Sequence, residues 1–393
     1  MFFQQSFTVL SKAAVPLIAP VALVDLGASA SYVGVYVAIA AAAQTLVGVG
    51  CGNFIRRYGG LRVSQVGMFF VLMGMILASM GVSWLFVLTA LFVALGTGAG
   101  TPASSHILAR YSPPQYAPMI FGAKQTAVPV GLAAGGFVIP FLYGLFGWQG
   151  ALLCIGIMCA GFAIVLQPAR AELDKDRNPK QALSMGDMKS TFLVVLRTPS
   201  LRILGITMFA FVGLQNSYTA YIVLFLTTEL GYSFAEASSG IFAMAMAAAI
   251  PTRVLWGYIA SSWVSPRNVL AGLGVTMTIA SVLTGFYGPE WPFWQILGVA
   301  IVFTATGLGW QGVLLSEIAR CAPPGQVGMA TGGVMSFASA GMTVMPLIFS
   351  AILALTGSYH FGFYVIGIPT LGAALMLIVV EKKTRTALLQ KPS

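Results

Sequence analysis

The chain has 393 residues, of which 58% are hydrophobic and only 8% are charged, a composition that excludes a soluble globular protein and indicates an integral membrane protein. Its net charge of +10 would suit a nucleic-acid partner, but the basic residues are spread over alternate short loops, as membrane topology alone requires. We therefore expect a lipid bilayer, and no nucleic acid, around this protein.

Apolar runs long enough to cross a membrane recur along the whole chain, because a bilayer core of ~30 Å needs about 20 apolar residues per helix. We predict an all-α membrane protein with twelve transmembrane helices. Their predicted spans are residues 6–26, 31–52, 61–82, 84–108, 117–143, 147–167, 201–228, 235–262, 267–287, 293–318, 327–355 and 361–381.

The basic residues predict the orientation of these helices. Outside the predicted helices, every Lys and Arg lies in loops 2–3, 4–5, 6–7, 8–9 and 10–11 or in the C-terminal tail, and the intervening loops contain none. Short loops rich in Lys and Arg stay in the cytoplasm. Both termini are then cytoplasmic, and we expect a multi-pass protein of a bacterial inner membrane.

An internal repeat divides the chain into two halves. The sequence ARYSPP at 109–114 returns as ARCAPP at 319–324, and Gly-x-Gly at 96–98 returns at 307–309. Parallel repeats of six helices each are a transporter architecture. We predict two pseudo-symmetric bundles, at residues 1–167 and 201–393, joined by a linker at 168–200 that we expect to be a solvated cytoplasmic connector.

The stretch from Gly52 to Arg62 in loop 2–3 resembles the signature of the major facilitator superfamily, and twelve helices in two halves with a charged central loop are its general pattern. The resemblance implies gating or packing roles for Gly52, Arg57 and Gly59, and for Gly257 in the equivalent loop of the second half. Arg56 stands where the family usually has an acidic residue.

Two further stretches resemble subfamilies that carry anions. The sequence KQTAVPVG, which starts at Lys124 and precedes Gly135, resembles bacterial porters of cyanate and small anions, and RVLWG from Arg253 resembles the helix-eight arginine of oxalate and monocarboxylate transporters. That resemblance implies that Arg253 binds a substrate carboxylate. Gly131 and Gly135 are spaced for close helix packing and for motion between the halves.

Lys12, Lys124 and Arg253 are the three basic residues that lie more than two residues inside a predicted helix, whereas Arg62, Arg202 and Arg267 lie at helix ends beside the cytoplasmic loops. A cation at mid-membrane costs about 2.5–3.5 kcal/mol on insertion scales, so it usually faces a cavity or a partner. Lys124 and Arg253 lie at similar depths from the cytoplasmic side, and we expect both to face one cavity with an anion between them. The alternative is pairing with backbone carbonyls or snorkelling, which is the expected behaviour of Lys12.

Polar residues in the predicted seventh and tenth helices are candidates for shaping this site. They are Gln215, Asn216, Tyr218 and Gln311. The alternative is that such side chains bond neighbouring helices to each other.

Glu317 and Asp25 are the nearest carboxylates that would couple transport to protons, although Glu317 also suits a structural anchor near Arg320. We predict no enzyme, cofactor or metal site, because Gly-x-Gly-x-x-Gly at 307–312 lies within an apolar helix and the two histidines are far apart. The expected function is transport of a small organic anion, a carboxylate, by a monomer using alternating access. The alternatives are efflux of drugs or other amphipathic compounds and a receptor that binds a nutrient without moving it.

Overall fold

The computed structural model describes residues 1–113, 116–181, 193, 195–323 and 326–389, and within them it is helical with no strand. Pro114 and Pro324 of the repeat, Lys189 of the linker and Lys391 of the tail lie outside the described residues. The described chain divides into two compact units. Unit 1 comprises residues 1–187 and 219–247, and unit 2 comprises residues 188–218 and 248–393.

Unit 1 is built mainly from the first half of the chain. Its helices are α1 (Phe2–Leu26), α2 (Tyr32–Tyr58), α3 (Gly60–Ser79), α4 (Leu85–Gly98), α5 (Gly100–Tyr111), α6 (Ala117–Gln125), α7 (Ala127–Val165) and α8 (Arg170–Leu173). A 3-10 turn, Gln167–Ala169, precedes α8. The unit also receives the last part of α9 (Pro199–Thr228) and a π-helix, Glu236–Ala243.

Unit 2 holds the first part of α9 and the helices that follow. These are α10 (Met244–Ser262), α11 (Pro266–Gly285), α12 (Phe293–Gly307), α13 (Gln311–Cys321), α14 (Val327–Thr356) and α15 (Tyr359–Leu389). The first residues of α10, up to Ala247, belong to unit 1. Aromatic rings fill part of the interior of unit 2, where Tyr218 stacks on Phe303 with ring centroids 3.6 Å apart.

Eleven continuous helical stretches of the described chain are long and apolar enough to cross a membrane. One of them, Gly122–Leu173, is bent at Gly147, whose φ of 69° and ψ of 179° are not helical. Glycine adopts a positive φ without the steric cost that a side chain brings. The bend falls at the predicted boundary between the fifth and sixth helices, which gives the twelve crossings predicted.

The two Gly-x-Gly motifs mark interruptions in corresponding helices of the two units. The first motif precedes the break at Ala99 between α4 and α5, and the second contains the break between Gly307 and Gln311 that separates α12 from α13. A Cβ at Gly98 would lie 2.9 Å from the Gln44 carbonyl of α2. A Cβ at Gly309 would collide with the Trp256 ring of α10. Each glycine therefore allows close helix packing beside a broken helix.

Indole N–H groups stabilise the break between α12 and α13. Trp256 Nε1 donates to the Ala305 carbonyl at 2.9 Å, and Trp310 Nε1 donates to the Gly307 carbonyl at 2.8 Å. An irregular backbone inside a membrane needs such partners, because no water is present there to replace the lost helical bonds.

The first part of the predicted linker, residues 168–181, belongs to unit 1 and contacts its other helices through a few polar groups. The buried Asp174 carboxylate accepts the backbone N–H groups of Leu61 at 2.8 Å and Arg62 at 3.0 Å, at the start of α3. Asp176 contacts His106 at 2.7 Å and Arg110 at 2.9 Å, on α5. We call residues 170–181 the docked segment. Most residues of this segment are exposed, so its solvation stays a prediction, and the sequence did not show that its carboxylates find donors distant along the chain.

Candidate functional site

Arg253 of α10 and Gln311 of α13 form a pair in unit 2. Arg253 lies nine residues before the last residue of α10, and Gln311 is the first residue after the break that follows α12. The Arg253 Nη2 donates to Gln311 Oε1 at 2.9 Å. A neutral amide orients the guanidinium without neutralising its charge, and the amide nitrogen of Gln311 is itself a donor. The structure thus joins two of the predicted site residues.

Lys124 lies near the end of α6 in unit 1 and is 4% exposed. Its Nζ donates to the backbone carbonyl of Thr101 at 3.3 Å and to Ser105 Oγ at 3.0 Å, both on α5. The bond to the Thr101 carbonyl is the pairing with a backbone carbonyl that we gave as the alternative to anion binding. The bond to Ser105 is to a hydroxyl. Both partners are neutral, so the positive charge is held in a buried and polar setting.

Two glutamines of α1 complete this polar setting and were not predicted. Gln5 is 5% exposed, and its Oε1 accepts from Thr101 Oγ1 at 3.2 Å. Gln4 is 1% exposed, and its Nε2 lies 3.2 Å from the place of a Cβ at Gly100. The predicted first helix began at residue 6, which left both glutamines outside it. The signal that would have found them is a pair of uncharged polar residues directly before an apolar run.

Two of the three predicted site residues of α9, Asn216 and Tyr218, contact neighbouring helices. Asn216 Nδ2 donates to the Met342 carbonyl of α14 at 3.3 Å, which is the bond between neighbouring helices expected as an alternative. Tyr218 is 1% exposed and packs between Phe303 and Phe363. Gln215 is half-buried.

Both candidate coupling carboxylates have firm partners. Glu317 is fully buried and contacts Arg267 Nε at 2.6 Å and Arg320 Nη2 at 2.7 Å. Arg320 was the expected anchor, and Arg267 is an addition that the sequence did not show. Asp25 lies exposed near the end of α1, where its Oδ2 accepts from Trp148 Nε1 at 2.6 Å. This geometry fits anchoring at helix ends.

The glycines expected to pack or gate divide into two groups. A Cβ at Gly131 would lie 2.6 Å from the Ser6 carbonyl of α1, and a Cβ at Gly59 would collide with Asp174, so both need glycine. A Cβ at Gly135 would meet only the flexible ends of two side chains, Leu17 at 3.1 Å and Ile139 at 3.8 Å.

Gly52 and Gly257 form the second group, because no described atom lies within 4 Å of the place that a Cβ would take at either residue. Close contact therefore does not require glycine at these two positions in this structure, and their gating or packing role stays a prediction. Arg57, grouped with them in the signature loop, donates from Nη1 to the Gln181 carbonyl at 3.4 Å.

Known proteins resemble this chain in sequence. The 4-hydroxybenzoate transporter PcaK of Pseudomonas aeruginosa is 31% identical over 159 residues, which cover 40% of this chain and 35% of that protein. The chain therefore spans about a third of the length of that relative. Monocarboxylate transporter 4 of Gallus gallus is 25% identical over 348 residues, 83% of this chain and 70% of that protein.

Solved structures share the fold. A POT family transporter in complex with 5-aminolevulinic acid has a TM-score of 0.78 at 12% identity, and the match covers 97% of this chain and 95% of that one. A bacterial homologue of the human lysosomal transporter Spinster has a TM-score of 0.73 at 14% identity, with the same coverage. The profile of the Major Facilitator Superfamily matches residues 1–316. The chain therefore belongs to the Major Facilitator Superfamily of membrane transporters, as its signature loop and helix pattern predicted.

Proposed function

We propose that this member of a transporter superfamily carries a small organic anion of the carboxylate class across a membrane by alternating access. The observation that carries the proposal is the burial of Lys124 against neutral partners, together with the orientation of Arg253 by the Gln311 amide. A buried cation is stabilised by an anion that offers it charge-assisted hydrogen bonds. The guanidinium fork suits a carboxylate, and the ammonium supplies a compact charge.

The relatives support a carboxylate. One is named for 4-hydroxybenzoate and another for monocarboxylates, and both of these substrate classes carry a carboxylate. The solved structures add the fold alone. Glu317 and Asp25 are engaged at helix ends, which favours anion exchange, uniport or symport in which the carboxylate of the substrate itself carries the proton.

Ligand-induced thermal stabilisation of the purified protein tests the proposal, since a ligand that binds only the folded state raises its apparent stability. A panel of carboxylates that includes 4-hydroxybenzoate, benzoate, lactate and propionate is compared with lipophilic cations. Arg253→Met and Lys124→Met should each weaken carboxylate binding by roughly 10- to 100-fold, the usual effect of losing a hydrogen bond to a charged group. Arg202→Met removes the same charge from an exposed position and should leave binding unchanged.

Flux measurements in vesicles then separate the alternatives. Uptake or exchange of the stabilising carboxylate supports the carrier. Binding without flux would identify a receptor. Stabilisation by lipophilic cations alone, unaffected by the Arg253 and Lys124 substitutions, would overturn the anion proposal in favour of efflux of amphipathic compounds.

A further inference from the structure

The polar residues around Lys124 come from three helices and meet at the first turns of α5. We call Gln4, Gln5, Thr101, Ser105 and Lys124 the α5 cluster. Thr101 connects its members, because its hydroxyl donates to Gln5 while its carbonyl accepts from Lys124. Gln4 lies beside Gly100, the residue before Thr101.

One acceptor in this cluster has no donor. Gln4 Oε1 is buried and has no hydrogen-bond partner among the described residues. Two hydroxyls nearby donate elsewhere: the Thr8 hydroxyl donates to the Gln4 backbone carbonyl at 2.8 Å, and the Thr101 hydroxyl donates to Gln5 at 3.2 Å. Burying a polar group without a partner destabilises the fold, so a native protein that retains one needs a reason for it.

We propose that Gln4 is a specificity-determining residue that accepts a hydrogen bond from a hydroxyl group of the transported anion, whose carboxylate Lys124 binds. The substrate is then a hydroxylated carboxylate. An ammonium only donates and an amide carbonyl only accepts, so the pair recognises a molecule with a carboxylate at one place and a donor at another. This inference rests on the proposed function, because Lys124 is one of its anion-binding residues.

A ligand that lacks the hydroxyl should bind more weakly. A site with a buried group waiting for a substrate hydroxyl discriminates against an analogue without it, because that analogue leaves the group unpaired. For the single neutral hydrogen bond at Gln4 we expect a preference of roughly tenfold.

The test measures affinities of matched ligand pairs by titration calorimetry on the purified protein. The pairs are 4-hydroxybenzoate with benzoate and lactate with propionate, which place the hydroxyl at different distances from the carboxylate. The wild-type protein should prefer the hydroxylated member of at least one pair about tenfold, and Gln4→Met should reduce that preference ratio to about one. Gln4→Leu, of different shape, is a second variant with the same expected result.

Gln65→Met is the matched control. Gln65 of α3 is 2% exposed and its Oε1 also has no partner among the described residues, but its Nε2 donates to the Ala163 carbonyl and to Gln167. It makes no hydrogen bond with the α5 cluster, so its substitution should leave the preference ratio unchanged. Without ligand, Gln4→Met should be at least as heat-stable as the wild type, because it removes an unpaired acceptor.

The possible failures have different signatures. Equal binding of both members of each pair by the wild type, or a preference that persists in Gln4→Met, overturns the role of Gln4 and leaves the anion carrier standing. A loss of ligand-free stability in Gln4→Met would assign Gln4 to the structure and also overturn the inference. If no carboxylate binds the wild type, the proposed function fails, and the role of Gln4 fails with it.

Discussion

Individual charged residues in this protein differ in what surrounds them. Lys124 is buried and donates to a neutral hydroxyl and a carbonyl, whereas Arg253 is partly buried and donates to the amide oxygen of Gln311. Glu317, by contrast, lies between two arginines. A buried charge with an opposite charge beside it is a structural unit, whereas a buried cation among neutral dipoles is suited to a charged ligand. The distinction separates anchoring residues from ligand-binding candidates.

Glu317→Gln tests this distinction. Removing one partner of a buried pair costs about 3–5 kcal/mol, because the other charge stays buried without compensation, and Arg267 is only 8% exposed. We expect a fall of several degrees in the melting temperature of the detergent-purified protein. Arg320→Met removes the more exposed partner and should cost below about 1 kcal/mol. A Glu317→Gln protein with the stability of the wild type but without dependence of uptake on a pH gradient would instead make Glu317 a coupling residue.

The helices of unit 1 pack through glycines whose positions differ in their tolerance. Gly131 of α7 faces the backbone of α1, and Gly136 faces the π-helix, where a Cβ would lie 2.7 Å from the Ser238 carbonyl. Backbone atoms cannot rotate away as a side chain can. The hydrophobic effect does not drive helices together within a lipid bilayer, so van der Waals contact at small residues contributes to their association.

Gly131→Ala should therefore separate α1 from α7. An added methyl group in a packed interior costs about 1–3 kcal/mol, and here it meets a carbonyl oxygen and Val9 Cβ at 2.9 Å. Gly122→Ala is the control in α6, because no described atom lies within 4 Å of its Cβ position and alanine favours a helix by about 0.5–1 kcal/mol. We expect a lower melting temperature for the first variant and an equal or higher one for the second. Equal stability of the two variants would contradict tight packing at Gly131.

The docked segment responds to acid through Asp176. Partial burial raises the pKa of this carboxyl, but the hydrogen bond from His106 and the charge of Arg110 outweigh burial and lower the pKa below its usual value. A group with a lowered folded-state pKa stabilises the fold above its unfolded-state pKa, and that stabilisation disappears as the pH falls through the folded-state value. Docking of residues 170–181 should therefore weaken in acid.

Hydrogen exchange of residues 170–181 measures this weakening. Asp176 is partly exposed, so we expect an effect below about 1 kcal/mol. Exchange should accelerate on acidification beyond its intrinsic pH dependence in the wild type, and Asp176→Asn should show fast exchange at neutral pH with little further response. The prediction fails if Asp176→Asn exchanges as slowly as the wild type at neutral pH.

At the scale of the whole molecule, the apolar runs predicted the helices because crossing a bilayer requires length and hydropathy that are visible in the sequence. The sequence could not predict the docked segment, since Asp174 binds the N–H of a residue 113 positions away. Nor could it predict Gln4 and Gln5, because their burial depends on α5 lying beside them. The sequence placed Arg253 and Gln311 among the residues of one site, but it could not predict the hydrogen bond between them.

The division into units predicts how the chain behaves when it is cut. Unit 1 takes residues 219–247 from the second half, where the Ser239 hydroxyl donates to the Gly136 carbonyl at 2.9 Å and the π-helix packs on α7. A fragment of residues 1–187 therefore lacks part of its own packing.

We expect this fragment to aggregate or degrade when it is produced alone, and to co-purify as a stable complex when residues 188–393 are produced with it. Ser239→Ala in the second fragment should weaken the complex modestly, by about 0.5–1.5 kcal/mol for one hydrogen bond. A monodisperse fragment of residues 1–187 that melts like the intact protein would show that residues 219–247 are dispensable for unit 1.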